Sequence, residues 1–142
     1  MASIVEAEAQ AAGERARIAA VYYNRLKQGM RLQADPTVAF ALGGRPDRIF
    51  YKDLKVDSPY NTYVHFGLPP GPICNPGRAA IRAALNPDTR SGELFFVARG
   101  DGTHDFSKTL TQHDRAIARI RAVPRPPDSS AAAAREPARK RT

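Results

Sequence analysis

At 142 residues and 15.5 kDa the chain has room for one ordinary domain and not for two. Hydrophobic residues make up 42%, aromatics 8% and charged residues 25%, the composition of a globular chain with a modest core; no apolar run reaches the roughly 18 residues of a membrane span, and no signal-peptide pattern is visible. Cys74 is the single cysteine, which excludes an internal disulfide and a cysteine-built zinc site, and His65, His104 and His113 lack metal-ligand spacing, so neither a metal nor another cofactor is expected.

The net charge of +8 points at first to an anionic partner. Part of it belongs to the end, where Arg125, Arg135, Arg139, Lys140 and Arg141 stand against Asp128 and Glu136. Residues 124–142 also hold four prolines and four consecutive alanines with no large apolar side chain, and are expected to form a disordered basic tail. A solvated terminus is the better reading of such a tail than a nucleic-acid arm, so no nucleic-acid partner is expected.

In chain order, residues 2–12 are good helix formers, with Ser3 and Glu6 at capping-box spacing. Gly13 predicts a bend or break. A second helix over 14–28 places Ile18, Val21, Tyr22 and Leu26 on one face, and Gly29 suits its C-terminal cap. From Met30 to Pro87 the chain becomes proline-rich and full of turn signals, such as Gly43-Gly44 and Leu68-Pro69-Pro70-Gly71. Within it a short helix is expected over 36–42 with Asp35 as cap, and another over 78–85 capped by Asn75. Residues 93–98 read as a strand that pairs back with 104–106 across Gly100-Asp101-Gly102. A helix over 111–121 closes the fold, with Ile117 and Ile120 facing inward. The expected class is α+β: N-terminal helices, proline-rich cleft loops, a small β-hairpin and a C-terminal helix. Long structured loops of this kind are where substrate clefts are built.

Chemistry begins with the carboxylates of the first helix. Helical spacing puts Glu8 on a stripe with Ile4, Ala11, Ala12 and Arg15, while Glu6 shares a polar stripe with Gln10. Desolvation beside apolar neighbours raises a carboxylate's pKa and makes it a proton donor near neutrality. The bland alternative is a pair of surface glutamates, or Glu8 held ionised by Arg15. Gln33, Asp35 and Thr37, the run Tyr60-Asn61-Thr62-Tyr63, and Thr103-His104-Asp105 supply the amides, hydroxyls and rings that recognise sugars, and serve equally as turn and cap residues. A Ser58–His104–Asp35 triad fails for want of a nucleophile elbow.

These stretches together resemble the endolytic murein transglycosylase family (MltG or YceG-like proteins). The resemblance is carried by Ala2-Ser3-Ile4-Val5-Glu6-Ala7-Glu8, Val21-Tyr22-Tyr23-Asn24-Arg25-Leu26, and the run from Gly29 through Leu32-Gln33-Ala34-Asp35-Pro36-Thr37 to Val38. It continues through Pro59-Tyr60-Asn61-Thr62-Tyr63, Gly67-Leu68-Pro69-Pro70-Gly71, Ala84-Leu85-Asn86-Pro87, and Phe95-Phe96-Val97-Ala98 to Gly102-Thr103-His104-Asp105-Phe106, in order over residues 2–120.

The resemblance implies cleavage of the MurNAc–GlcNAc bond inside peptidoglycan strands to leave 1,6-anhydro-MurNAc ends, with one glutamate as general acid and base. By the resemblance that glutamate is Glu8. Ala9 stands where related enzymes carry Ser or Thr, which keeps Glu6 as the alternative. Gln33, Asp35, Thr37, Tyr60, Asn61, Thr62 and His104 are then expected to line the cleft. The implied partners are glycan strands and the cell-wall synthesis machinery, and the implied location is the outer, periplasmic face of the bacterial inner membrane. The other reading is a catalytically inactive peptidoglycan-binding module. Family members usually carry a membrane helix and a LysM-like domain before this segment. Residues 1–123 are therefore expected to be an isolated catalytic domain, leaving apolar surface exposed around Ile4 and Val5.

Overall fold

The structure, a computed structural model, describes residues 1–44 and 46–124; apart from Pro124, the expected basic tail lies outside the described residues. The described residues form five helices and one two-stranded sheet: α1 (Ala2–Glu8), α2 (Arg15–Lys27), α3 (Asp35–Ala41), α4 (Arg78–Leu85), β1 (Phe95–Ala98), β2 (His104–Ser107) and α5 (Leu110–Ala122). Short 3-10 turns span Ala12–Glu14, Tyr51–Lys55 and Thr89–Ser91. The arrangement is α+β, as the pattern of elements predicts.

Helix α2 is the central post. Ile18, Ala19 and Tyr22 pack with Ile4 and Val5 of α1, with Leu32 and Ala34 of the following loop, and with Ala80 and Ala83 of α4. Alanines at the crossings let α4 lie close to both α1 and α2. Ile4 and Val5 are fully buried by these neighbours, so the expected exposed patch around them is absent. The apolar stripe read from the sequence also understates the enclosure of α2. Asn24, off that stripe, and Arg25, a charged residue on it at i+4 from Val21, are buried as well, because their side chains bond the backbone of the β1 approach: Asn24 Nδ2 donates to Glu93 O at 3.0 Å and Arg25 Nε to Leu94 O at 2.6 Å.

Gly29, at φ +68, ends α2 in the left-handed region where an L side chain is strained. Strands β1 and β2 pair antiparallel, Phe95 opposite Ser107 and Ala98 opposite His104. The hairpin rests on α2 through Phe96, whose ring meets Tyr22 edge-on at 5.7 Å. In α5 it is Ala116 that is fully enclosed, with Ile117 and Ile120 partly covered. The cap of α5 is Thr109, whose hydroxyl accepts from the Gln112 N–H.

Helix α1 stops at Glu8, one turn earlier than composition suggests, since Ala9 leaves in an extended conformation (φ −75°, ψ 127°). Nor does Ser3 form a capping box. Its hydroxyl is buried and accepts the Ile73 N–H at 3.1 Å, tying the proline-rich loop to α1. Ser3→Ala is therefore expected to cost about 1 kcal/mol in a denaturant melt, with no loss of helical circular dichroism.

Candidate active site

Glu8 ends α1 at the wall of a 410 Å³ cavity whose other sides are largely apolar: Pro36, Ala39 and Phe40 of α3, Ile49 of the following loop, and Ile73. The stripe that the sequence extends from Glu8 to Ala11, Ala12 and Arg15 does not exist, because the helix has ended. Shelter comes instead from residues distant in sequence. Arg15 does not pair with Glu8; its Nε is buried without a hydrogen-bond partner.

Tyr22 reaches across from α2 and donates its hydroxyl proton to Glu8 Oε1 at 2.9 Å. Burial raises the Glu8 carboxyl from 4.5 to about 7; the bond from Tyr22 opposes the rise and the like charge of Asp35 adds to it. The α1 C-terminus, with its partial negative charge, disfavours ionisation in the same direction. Tyr22 is itself buried and pushed well above its ordinary range, so it stays protonated and serves Glu8 only as donor. Tyr22→Phe removes the bond that favours the carboxylate. The Glu8 titration is expected to move up by about one pH unit, read from the side-chain carboxyl resonance.

Asp35 begins α3 at the mouth of the same cavity and accepts a hydrogen bond from the Tyr63 hydroxyl. The expected role of Asp35 as helix cap falls to Ala34, leaving the Asp35 side chain for Tyr63. Two residues before Asp35, Gln33 is exposed and takes a left-handed φ of +50°, a conformation that costs a non-glycine residue about 1 kcal/mol or more. That turn points the Gln33 N–H at Thr62 O and the Ala34 N–H at Thr62 Oγ1. Gln33, Asp35 and Tyr63 then line a second cavity of 190 Å³ that meets the first at Asp35.

The other residues expected in the cleft sit elsewhere. Thr37 and Thr62 are buried behind the cleft wall, with their hydroxyls 2.8 Å apart, and Thr37 also donates to Ala34 O. Asn61 is fully buried, and its amide donates to Leu54 O and Val56 O while accepting the Tyr63 N–H. These three hold the loop that presents Tyr63 and Gln33. Tyr60 packs against Phe40, ring centroids 4.7 Å apart, and so backs a wall of the first cavity. His104 lines neither cavity: its Nδ1 and backbone N–H both bond the Glu14 carboxylate, pinning the hairpin to the turn before α2.

Of the residues expected at the site, the structure brings Glu8, Asp35 and Gln33 to the cavities. It adds Tyr22, Tyr63 and Phe40. Tyr63 had a signal in the Tyr60–Tyr63 run. Tyr22 lay on the apolar face of α2, where a ring reads as core, and only the α1–α2 crossing turns its hydroxyl toward Glu8. Glu6 lies on another side, beside Gly77, with its carboxylate oxygens within 4 Å of where a Cβ would stand.

A carboxyl that keeps its proton near neutrality, in an apolar cleft, with a phenol behind it and a second carboxylate opposite, equips this fold for general acid/base chemistry. The chain belongs to the YceG-like family, whose profile matches residues 1–119. It is 52% identical over 116 residues to a Bacillus subtilis protein named endolytic murein transglycosylase, a match covering 82% of this chain and 32% of that protein. A Streptococcus pneumoniae protein of the same name is 37% identical over 124 residues, covering 83% of this chain and 22% of the other. The chain thus spans a third or less of the length of these relatives. A 2.6 Å crystal structure of a yceG-like protein from Listeria monocytogenes is similar at a TM-score of 0.76 and 52% identity, covering 81% of this chain and 36% of that one.

Proposed function

We propose that residues 1–123 form the catalytic domain of a peptidoglycan lytic transglycosylase that cleaves the MurNAc–GlcNAc bond within glycan strands and leaves 1,6-anhydro-MurNAc ends. The observation that carries this reading is the Glu8 carboxyl, raised to about 7 in the cleft and bonded through one oxygen to Tyr22. The name of the relatives, endolytic murein transglycosylase, supplies the polymer.

In the first step protonated Glu8 gives its proton to the glycosidic oxygen. The bond from that oxygen to C1 of MurNAc breaks, and the N-acetyl oxygen of the same sugar closes on C1, carrying the positive charge. Tyr22 holds Oε1 and so stabilises the carboxylate just formed, leaving Oε2 to face the sugar. In the second step Glu8 takes the proton of the C6 hydroxyl, O6 attacks C1, and the N-acetyl oxygen leaves. Glu8 ends protonated, and no water is consumed. A hydrolysing glycosidase commonly divides acid and nucleophile between two carboxylates; here one group serves twice, and Asp35 places a negative charge beside the cationic intermediate. The apolar walls at Pro36, Ala39 and Ile49 hold back the water that would compete with O6.

This reading places the protein at glycan strands on the outer, periplasmic face of the bacterial inner membrane, alongside the cell-wall synthesis machinery. Mass spectrometry of digested sacculi tests it. Fragments lighter by one water than hydrolysis products are expected from the native chain and not from Glu8→Gln. Release of no fragment at all, with retention on sacculi, would assign the chain to the inactive binding modules.

A further inference from the structure

Arg25 is a cation buried without a counter-ion. Only 8% of the residue is exposed, and its guanidinium donates to the backbone carbonyls Leu94 O (2.6 Å) and Arg31 O (2.9 Å). Among the described residues no carboxylate lies within ion-pair distance of it. A buried charge satisfied only by dipoles is costly unless an anion arrives. The cavity beside it is the 190 Å³ one, less than half the volume of the cleft at Glu8, and it is lined by polar groups: Arg25, Gln33, Tyr63 and His113.

His113 extends from α5 and stacks on Phe95, ring centroids 5.2 Å apart, while Arg25 covers the same ring from 5.0 Å. Its Nδ1 is buried and has no hydrogen-bond partner. One aromatic plate at one small cavity is thus contacted by a buried guanidinium bonded only to carbonyl oxygens and by an imidazole whose buried Nδ1 has no partner. Asp35, which also borders this space, is already engaged by Tyr63. Its charge acts on Glu8 and raises both tyrosines, whereas that of Arg25 lowers both tyrosines and His113. Tyr22 and Tyr63 thus stand between the carboxyl groups of Glu8 and Asp35 on one side and the Arg25 guanidinium on the other.

We propose that this second cavity is a carboxylate subsite, in which the Arg25 guanidinium, assisted by His113 and Gln33, binds an acidic substituent of the molecule whose neutral sugar lies at Glu8. The cavity is too small for a further disaccharide and suits a short acidic group. The assignment rests on the proposed substrate only for the source of the carboxylate, either the lactyl group of a peptide-free MurNAc or a stem-peptide carboxylate.

The test titrates the full chain with N-acetylmuramic acid and, separately, with its carboxamide, following the ring resonances of His113 and Phe95. The acid is expected to shift both rings and to bind about tenfold or more tightly than the carboxamide. A folded Arg25→Gln chain is expected to lose the difference; if that variant does not fold, the two ligands on the native chain still decide. Equal binding of acid and carboxamide, or shifts confined to the Glu8 cavity, would overturn the subsite. Cleavage assays on peptide-stripped strands, peptide-bearing strands and strands with amidated peptide carboxylates then separate the sources: a KM rise confined to the amidated strands identifies the stem peptide, and the lowest KM on stripped strands the lactyl group. Acid-selective shifts at His113 with no anhydro product from any strand would leave the subsite standing and remove the lyase reading. Anhydro products without discrimination among ligands or strands would do the reverse.

Discussion

Glu8→Gln is expected to abolish turnover and, above pH 7, to make the domain harder to unfold. The first effect follows from the double use of one group: glutamine can neither deliver a proton to the glycosidic oxygen nor accept one from the C6 hydroxyl. Loss of a positioned general acid costs about 10²- to 10⁴-fold, and the upper end applies where no second residue shares the task. The second effect follows from linkage. Glu8 holds its proton to about pH 7 when folded and to about 4.5 when unfolded, so between these values the folded state binds more protons and loses stability as pH rises. The stability present below pH 4.5 is gone above 7, a loss on the order of 3 kcal/mol. Glutamine keeps the shape, can still accept from Tyr22, and has no proton to lose. Urea melts of the two chains should therefore agree near pH 4 and diverge by pH 8, with the variant the more stable. An inactive variant no more stable than the native chain at pH 8 would show that Glu8 pays no desolvation cost.

Asn61→Ala is expected to destabilise the fold by about 3 kcal/mol, because the leucine and valine carbonyls and the Tyr63 N–H that Asn61 satisfies are left without partners in a buried site. The consequence reaches the cleft. Asn61 fixes the turn that carries Tyr63 to Asp35, so the Tyr63 bond to that carboxylate loosens before the core does. A sugar contact at Asn61 would raise KM and leave the melting midpoint unchanged; a bracing role shifts the midpoint first. Equilibrium denaturation beside steady-state kinetics separates the two.

The helices and the hairpin were legible in the sequence because each rests on local pattern: apolar spacing in α2, proline and glycine punctuation around α3 and α4, and the Phe95–Ala98 run. The polar residues of the proline-rich loop were not sorted correctly. Amides and hydroxyls that bind sugars and those that brace a loop are the same chemical groups, and only burial distinguishes Asn61 and Thr62 from Gln33. The same holds for His104, whose partner Glu14 is ninety residues away in sequence. Shelter for Glu8 was anticipated for an incorrect reason. Its own helix stops, and the apolar walls come from α3 and from the loops at Ile49 and Ile73, a contribution that no local window contains.

The central claim is that Glu8 keeps its proton to near neutrality while Tyr22 waits to stabilise the anion. Carbon-detected NMR of the side-chain carboxyl, in the native chain and in Tyr22→Phe, measures this directly. A midpoint near 7 that rises on loss of the phenol is the predicted result. Titration near 4.5 in both chains would contradict it.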